Sequence, residues 1–318
     1  VPPAEWSELR ERGATWGLQF VVVVYKVLGR TACRVVLAPI TLYFYLAGAA
    51  QRRASLDYLG RCWKAGLLPR KPGFWDGFRH FLGFSYALLD KLAAWTGKIR
   101  ATDVDGVSDG LFDAAKKSGR GAIVLTAHLG NPEVVRAIAT VAGRFRVNVL
   151  MHTIHAERFN RILTRLSPDS PVRLVQVTEI DVGVAMRLSE AVERGEWIVM
   201  TGDRAAVKDG RASAAPVPFL GEEALFPTGP YVLASALKCP AYTMFCLRQP
   251  KGRFRVMFEP FDDPVRLPRA GREEAAKAYA ARYVERLEKA VALAPFQWFN
   301  FYDYWAAPKQ AAAEDQPT

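Results

Sequence analysis

A chain of 318 residues, half of them hydrophobic, can bury a sizeable core and suits one large α/β domain with an appended segment better than two independent domains. Cys33, Cys62, Cys239 and Cys246 lie far apart or among apolar neighbours, with no C-x-x-C and no histidine at ligand spacing. That argues against a metal site and a disulfide framework and fits a reducing compartment. The net charge of +11 is uneven, since residues 1–100 hold 15 Lys/Arg against 6 Asp/Glu and leave only +2 for the rest. The most charged third is also the greasiest, and no helix-turn-helix, zinc-finger or RNP pattern occurs, so nucleic acid is not the expected partner.

Residues 1–100 read as helices, at about 16–34, 36–48, 51–65 and 74–97, with Pro69, Pro72 and Gly73 breaking the chain before the last. Residues 35–50 (VVLAPITLYFYLAGAA) carry no charge, and Arg52 and Arg53 follow directly. Sixteen such residues interrupted by Pro39 fall short of a comfortable membrane span, so an interfacial or shallowly inserted helix is expected. Lys26, Arg30 and Arg34 recur every four residues and fall within about 80° on a helix, a cationic stripe suited to an anionic membrane surface. Trp6, Trp16, Tyr25, Tyr43, Phe44 and Tyr45 fit a water–lipid boundary. A helical hairpin buried on the core is the alternative. No small-residue cleavage site marks a secretory signal.

From Arg100 the pattern changes to apolar bursts alternating with helical stretches: 121–127 then 132–143, 145–152 then 156–166, 172–177 then 183–194, and 196–201. This alternation predicts βαβ units and a mostly parallel central sheet flanked by helices. Residues 240–247 and 253–259 flank the turn-like 249–252 and predict a hairpin at the sheet edge. A last amphipathic helix covers about 271–293 and stops before Pro295. The expected organisation is therefore a helical membrane-associating region at 1–100, an α/β domain at 101–305 and a disordered tail at 306–318.

The segment GAIVLTAHLGNPEVVRA holds the chemistry, because a continuous apolar run ends at Ala127 and turn-forming residues begin at once. His128 then sits at the carboxyl end of a buried strand, where ligands bind in open α/β sheets. Asn131 and Pro132 look like an N-cap and a first helical position, which puts Glu133 in the first helical turn. A neutral imidazole can take the proton of an acceptor hydroxyl or amine, with a carboxylate on its other nitrogen fixing the tautomer. No Ser or Cys stands in a nucleophile elbow, so the acceptor would attack directly. Read singly, Glu133 is also explained by the helix dipole and His128 as a satisfied histidine.

His128-Leu-Gly-Asn-Pro-Glu133 resembles the H-x4-D/E motif of glycerolipid acyltransferases, and specifically the bacterial lipid A lauroyl/myristoyl acyltransferase family of the lysophospholipid acyltransferase superfamily. The similarity runs from residue 5 to about 305, in a branch not clearly dedicated to lipid A. Further blocks follow in order. His155-Ala-Glu-Arg158-Phe-Asn160-Arg161 matches a second stretch, where Arg158 and Arg161 would hold acceptor or carrier phosphates or form a solvated basic face. Thr201-Gly202-Asp203-Arg204 resembles a third block lining the site, with Arg204 where many family members have Gln. Arg204 would neutralise a phosphate or the developing oxyanion, or else pair internally with Asp203 or Glu133. Residues 216–221 and 226–231 resemble the Pro-Phe-x-Gly block and the helix start after it, where Gly229 and Pro230 leave backbone N–H groups for an anion. The aromatic run 295–305 is similar to the family's C-terminus and is explained by packing.

The resemblance implies transfer of a fatty acyl group from acyl-carrier protein or acyl-CoA to a hydroxyl or amine of a membrane lipid or glycolipid. His128 and Glu133 would be catalytic; Asn131, Arg158, Arg161, Asp203, Arg204 and Gly229 would bind substrate. No metal and no cofactor beyond the donor is implied. The expected setting is the cytoplasmic face of a bacterial inner membrane. A thioester hydrolase using the same pair, and a non-catalytic membrane-binding homologue, are the alternatives.

Overall fold

The computed structural model describes residues 33–95, 98–106, 110–132, 134, 146–151, 172–176, 182–204, 207–208 and 211–306. Among the described residues three helices come first: α1 (Cys33–Ala47), α2 (Ala49–Lys64) and α3 (Phe74–Trp95). Along α1, Cys33, Leu37, Thr41 and Tyr45 recur every fourth residue and are buried, with Thr41 Oγ1 bonded to Ser85 Oγ of α3 at 2.7 Å. The opposite side of α1 is apolar too, so Val35, Tyr43, Phe44 and Leu46 remain exposed. A bend of 97° separates α1 from α2 at Gly48. Arg52 donates to the carbonyls of Tyr45 and Leu46, which a helix end leaves without intrahelical partners. No single helix among the described residues is long and apolar enough to cross a membrane; the α1–α2 pair passes that test only as a bent unit.

The expected parallel sheet is present. Its strands are β1 (Val104–Asp105), β2 (Ala122–Thr126), β3 (Val147–Met151), β4 (Val172–Gln176), β5 (Trp197–Thr201), β10 (Ala241–Arg248) and β11 (Phe254–Asp262), in the order β1-β11-β10-β2-β5-β3-β4. Strands β10, β2, β5, β3 and β4 run parallel, and only the β10–β11 pair is antiparallel. The hairpin lies one strand in from the edge expected for it, because the two-residue β1 pairs with β11 outside it.

β2 is buried at every position because both faces of the sheet are covered. Ile123 and Leu125 face a core shared with α2, α6 (Gly229–Leu237) and α7 (Arg272–Leu293); Ala122 and Val124 face one shared with α1 and α3. Helices α4 (Leu111–Lys117) and α5 (Val182–Glu193) are also present among the described residues, with a short ribbon of β6 (Val207–Lys208) and β7 (Arg211–Ala212). The Pro-Phe-x-Gly block forms a separate hairpin of β8 (Ala214–Phe219) and β9 (Glu222–Pro227). Its turn, Leu220-Gly221, has positive φ at both residues, as a tight hairpin requires.

Candidate active site

β2 and β5 are neighbours with Thr126 opposite Thr201, so the residues that follow them emerge side by side at the carboxyl edge of the sheet. The alignment continues through Gly202 N–H to Thr126 O at 2.8 Å. Gly202 has no room for a side chain, because a Cβ there would lie 2.8 Å from Cζ of Tyr283. That ring's hydroxyl donates to the same Thr126 carbonyl at 2.7 Å. His128 and Asp203, 75 residues apart in sequence, are thereby brought into contact.

Asp203 Oδ1 lies 2.9 Å from His128 Nδ1, and Oδ2 accepts the His128 main-chain N–H at 2.8 Å. Oδ2 also accepts from Trp298 Nε1 at 3.0 Å and Asn300 Nδ2 at 3.2 Å, while Tyr304 OH donates to the Asp203 carbonyl at 2.8 Å. The Asp203 side chain is fully buried and His128 is 31% exposed. A carboxylate accepts only, so Nδ1 carries the proton and Nε2 keeps its lone pair. Burial alone would raise the Asp203 pKa; the His128 charge and hydrogen bonds, with Arg204, overcome it and hold the carboxyl at about 2. For His128 burial is again the largest influence and pushes the imidazole below its usual 6.5. Asp203 opposes that shift, and the Arg204 and Lys91 charges add to it.

The loop after His128 is held from both sides. Gly130 N–H donates to Gln297 O at 2.8 Å, Phe299 N–H to His128 O at 2.7 Å and Asn131 N–H to Cys246 O at 2.7 Å. Gly130 needs to be glycine twice over: its φ is +67°, and a Cβ would stand 2.0 Å from Cys246 O. The aromatic segment that binds this loop is itself anchored by the N-terminal helices. Tyr58 OH donates to Pro295 O at 2.7 Å, and buried His80 donates from Nε2 to Trp298 O at 2.9 Å while Ser55 Oγ donates to its Nδ1.

The site residues expected from sequence divide three ways. His128, Asp203 and Arg204 are together. Arg204 is steered by Nε to Asn300 Oδ1 at 2.6 Å and by a terminal nitrogen to Phe299 O at 3.0 Å, so its partners are in the aromatic segment. Asn131, expected to bind substrate, is 4% exposed and its amide donates to Ala87 O of α3 at 2.9 Å, which makes it a tie between loop and helix. Gly229 opens α6 beyond the β8–β9 hairpin, and no hydrogen bond joins it to His128 or Asp203 among the described residues. Glu133, Arg158, Arg161, Lys26 and Arg30 lie outside the described residues. Arg34 is half-buried, with its guanidinium 5.5 Å from the Tyr86 ring of α3.

Trp298 and Asn300 are the residues that sequence reasoning missed. The run holding them reads as hydrophobic packing, and its two interior polar groups are the only hint of a second task. All four cysteines are buried, and burial pushes the thiols of Cys62 and Cys239 up to about 12 and about 11, far from thiolate chemistry.

A histidine at the carboxyl edge of a parallel sheet, oriented by a buried carboxylate, is an arrangement able to accept a proton from a substrate. Residues 90–306 match the family model described as bacterial lipid A biosynthesis acyltransferase, and the chain belongs to that family. It is accordingly an acyltransferase of the kind that acts on lipid-like substrates. No curated relative matches the chain at a significant level.

Proposed function

We propose that the protein moves a fatty acyl group from a thioester, on acyl-carrier protein or coenzyme A, to a hydroxyl or amine of a membrane lipid or glycolipid. The observation that carries this is the His128–Asp203 pair, because it leaves a basic Nε2 on a partly open imidazole. His128 Nε2 takes the acceptor proton as the acceptor oxygen or nitrogen bonds to the thioester carbonyl carbon. The carbonyl electrons move to oxygen, where the Arg204 guanidinium, held by Asn300 and Phe299, is a preorganised counter-charge. The tetrahedral intermediate collapses with cleavage of the C–S bond, and the imidazolium returns its proton to the departing thiolate.

Asp203 is a positioning residue in this scheme: it fixes the tautomer and stabilises the imidazolium without taking its proton. Glu133 is assigned to the same centre by the H-x4-E spacing alone, and Arg158 and Arg161 to substrate phosphates by the family resemblance. The exposed apolar side of α1 and the adjoining Arg52 and Arg53 suit the cytoplasmic face of an inner membrane, where the Lys26/Arg30/Arg34 stripe would add charge.

The test is an incubation of purified protein with acyl-labelled carrier-protein thioester and bacterial lipid extract, followed by separation of labelled lipid from free acid. Label in lipid, lost with His128→Ala, is expected. Label in free acid alone, with acceptor abundant, would identify a thioester hydrolase. No turnover of either kind would leave a non-catalytic membrane-binding protein.

A further inference from the structure

Two neighbours in the chain, Asp203 and Arg204, carry opposite charges at the site and yet stand apart. Asp203 is fully buried, but among the described residues no carboxylate forms an ion pair with the Arg204 guanidinium. The partners of Arg204 are neutral: Asn300 Oδ1 lies 2.6 Å from Nε, and the Phe299 carbonyl lies 3.0 Å from a terminal nitrogen. A cation without an anionic partner is drawn to a carboxylate nearby, and the more so where burial lowers the dielectric. Some group must therefore keep the two apart.

Asn300 is bonded to both. It is 1% exposed, its Oδ1 accepts from Arg204 Nε, and its Nδ2 donates to Asp203 Oδ2 at 3.2 Å. A guanidinium only donates and a carboxylate only accepts, so a flipped amide would lose both bonds and one orientation is fixed. The backbone that carries it is fixed as well, because the Phe299 N–H donates to His128 O at 2.7 Å. Asp203 has three other donors in His128 Nδ1, His128 N and Trp298 Nε1, so its grip on the imidazole does not require Asn300. The placing of Arg204 does, since Asn300 supplies one of its two hydrogen bonds.

We propose that Asn300 is a positioning residue that keeps Arg204 from collapsing onto Asp203, so that the carboxylate stays with the general base and the guanidinium stays free for the reacting oxygen. The inference rests on the role given to Arg204 in acyl transfer and adds the residue on which that role depends. Without the amide the guanidinium would swing to Asp203 and cancel its charge. Turnover would then lose both the counter-charge for the oxyanion and the support for the imidazolium. Among the described residues the charges acting on His128 are Asp203, Arg204 and, from α3, Lys91, while burial holds the nearby phenols of Tyr283, Tyr302 and Tyr304 neutral. Collapse of Arg204 onto Asp203 therefore lowers the His128 pKa, whereas removal of Arg204 raises it.

The experiment is a double-mutant cycle on the full chain, with wild type, Asn300→Ala, Arg204→Met and the double variant read by labelled-acyl transfer and by NMR titration of the His128 ring. Each single variant should lower kcat by on the order of 10²-fold with KM within about threefold, as when a transition-state interaction is lost. The double variant should match Arg204→Met within about twofold, because Asn300 acts through Arg204. The His128 pKa should fall in Asn300→Ala, rise in Arg204→Met, and be no lower in the double variant than in Arg204→Met. A packing role predicts the opposite shift in Asn300→Ala, since Asp203 with one donor fewer is a stronger acceptor and raises the His128 pKa. Circular dichroism checks folding, and Asn300→Ser, too short to bridge the two partners, repeats the test if the Ala variant is unfolded. Losses in kcat that multiply, or a His128 pKa that rises or stays in place in Asn300→Ala, would overturn the proposal. If wild type transfers no acyl group, the acyltransferase reading fails, and the titrations of the four proteins alone uphold or overturn the spacing role of Asn300.

Discussion

Replacing Asp203 by Asn keeps the shape of the side chain and changes one acceptor into a donor. Four N–H groups converge on the carboxylate: His128 Nδ1 on Oδ1, and His128 N, Trp298 Nε1 and Asn300 Nδ2 on Oδ2. An Asn amide nitrogen placed at Oδ2 would deprive three donors of their acceptor. Placed at Oδ1 it meets only the imidazole, which adapts by moving its proton to Nε2. The second arrangement should win, and it removes the lone pair aimed at the substrate. The predicted loss in kcat is on the order of 10²–10⁴, the range of a misdirected general base. Stability should fall by about 2 kcal/mol, because hydrogen bonds to a charged group become hydrogen bonds to a neutral one. Asp203 is also what supports the His128 pKa against burial, Arg204 and Lys91. Wild-type activity requires neutral imidazole, so it should hold above the His128 pKa and fall as pH drops through a value below 6.5. Residual activity in the variant should persist to lower pH still. Labelled-acyl transfer measured from pH 5 to 9, with folding checked by circular dichroism, tests both parts. Activity within threefold of wild type with an unmoved acid limb would refute the reasoning.

His128→Ala should lower turnover by a factor of roughly 10²–10⁴ from the acid–base contribution and cost about 1–3 kcal/mol of stability, because buried Asp203 loses the Nδ1–H bond, which single-turnover assays and calorimetry will show. His80 is buried and neutral, and burial, opposed by its bond to Trp298 O, lowers its pKa to about 4. Its folded-state pKa is depressed, so its contribution is complete above about 6.5 and is lost as pH falls toward about 4, roughly 2 kcal/mol between pH 6.5 and 5. Urea unfolding of wild type and His80→Gln over that interval should show a steeper slope in wild type, the remainder in the variant coming from His128. Gly130→Ala forces a Cβ against Cys246 O at a positive φ and should cost about 2–4 kcal/mol, with a fall in activity because the His128 loop must move. Replacing Lys26, Arg30 and Arg34 together by Ala should weaken binding to anionic vesicles by about 1 kcal/mol per charge at the surface, read by flotation. Loss of two charges' worth would place Arg34, seated on Tyr86, away from the headgroups.

Most of the scaffold was legible because it repeats a simple rule. The apolar run 121–127 is a strand covered on both faces, and 74–97 and 271–293 carry a helical period to within a few residues of α3 and α7. The β8–β9 hairpin was not read as strands because Pro216 and Pro218 interrupt it. A two-stranded ribbon tolerates them, since one edge of each strand needs no hydrogen-bond donor. His128 lies at a strand terminus as expected, but the carboxylate expected to orient it is Glu133, whereas Nδ1 is bonded to Asp203, because periodicity does not say which strands lie side by side. Only the adjacency of β2 and β5 brings Asp203 to it. Trp298 and Asn300 were hidden for the same reason, since their task is set by one polar atom each within a run whose composition signals packing.

The most direct measurement is a mass-spectrometric comparison of the lipids of cells expressing the wild-type chain and its His128→Ala variant, with both proteins shown to be folded and equally abundant. The account predicts a lipid heavier by one acyl chain in the wild-type cells alone, and that species identifies the acceptor and chain length together. The same acylated lipid at equal abundance in both strains would contradict the assignment of His128 as the general base.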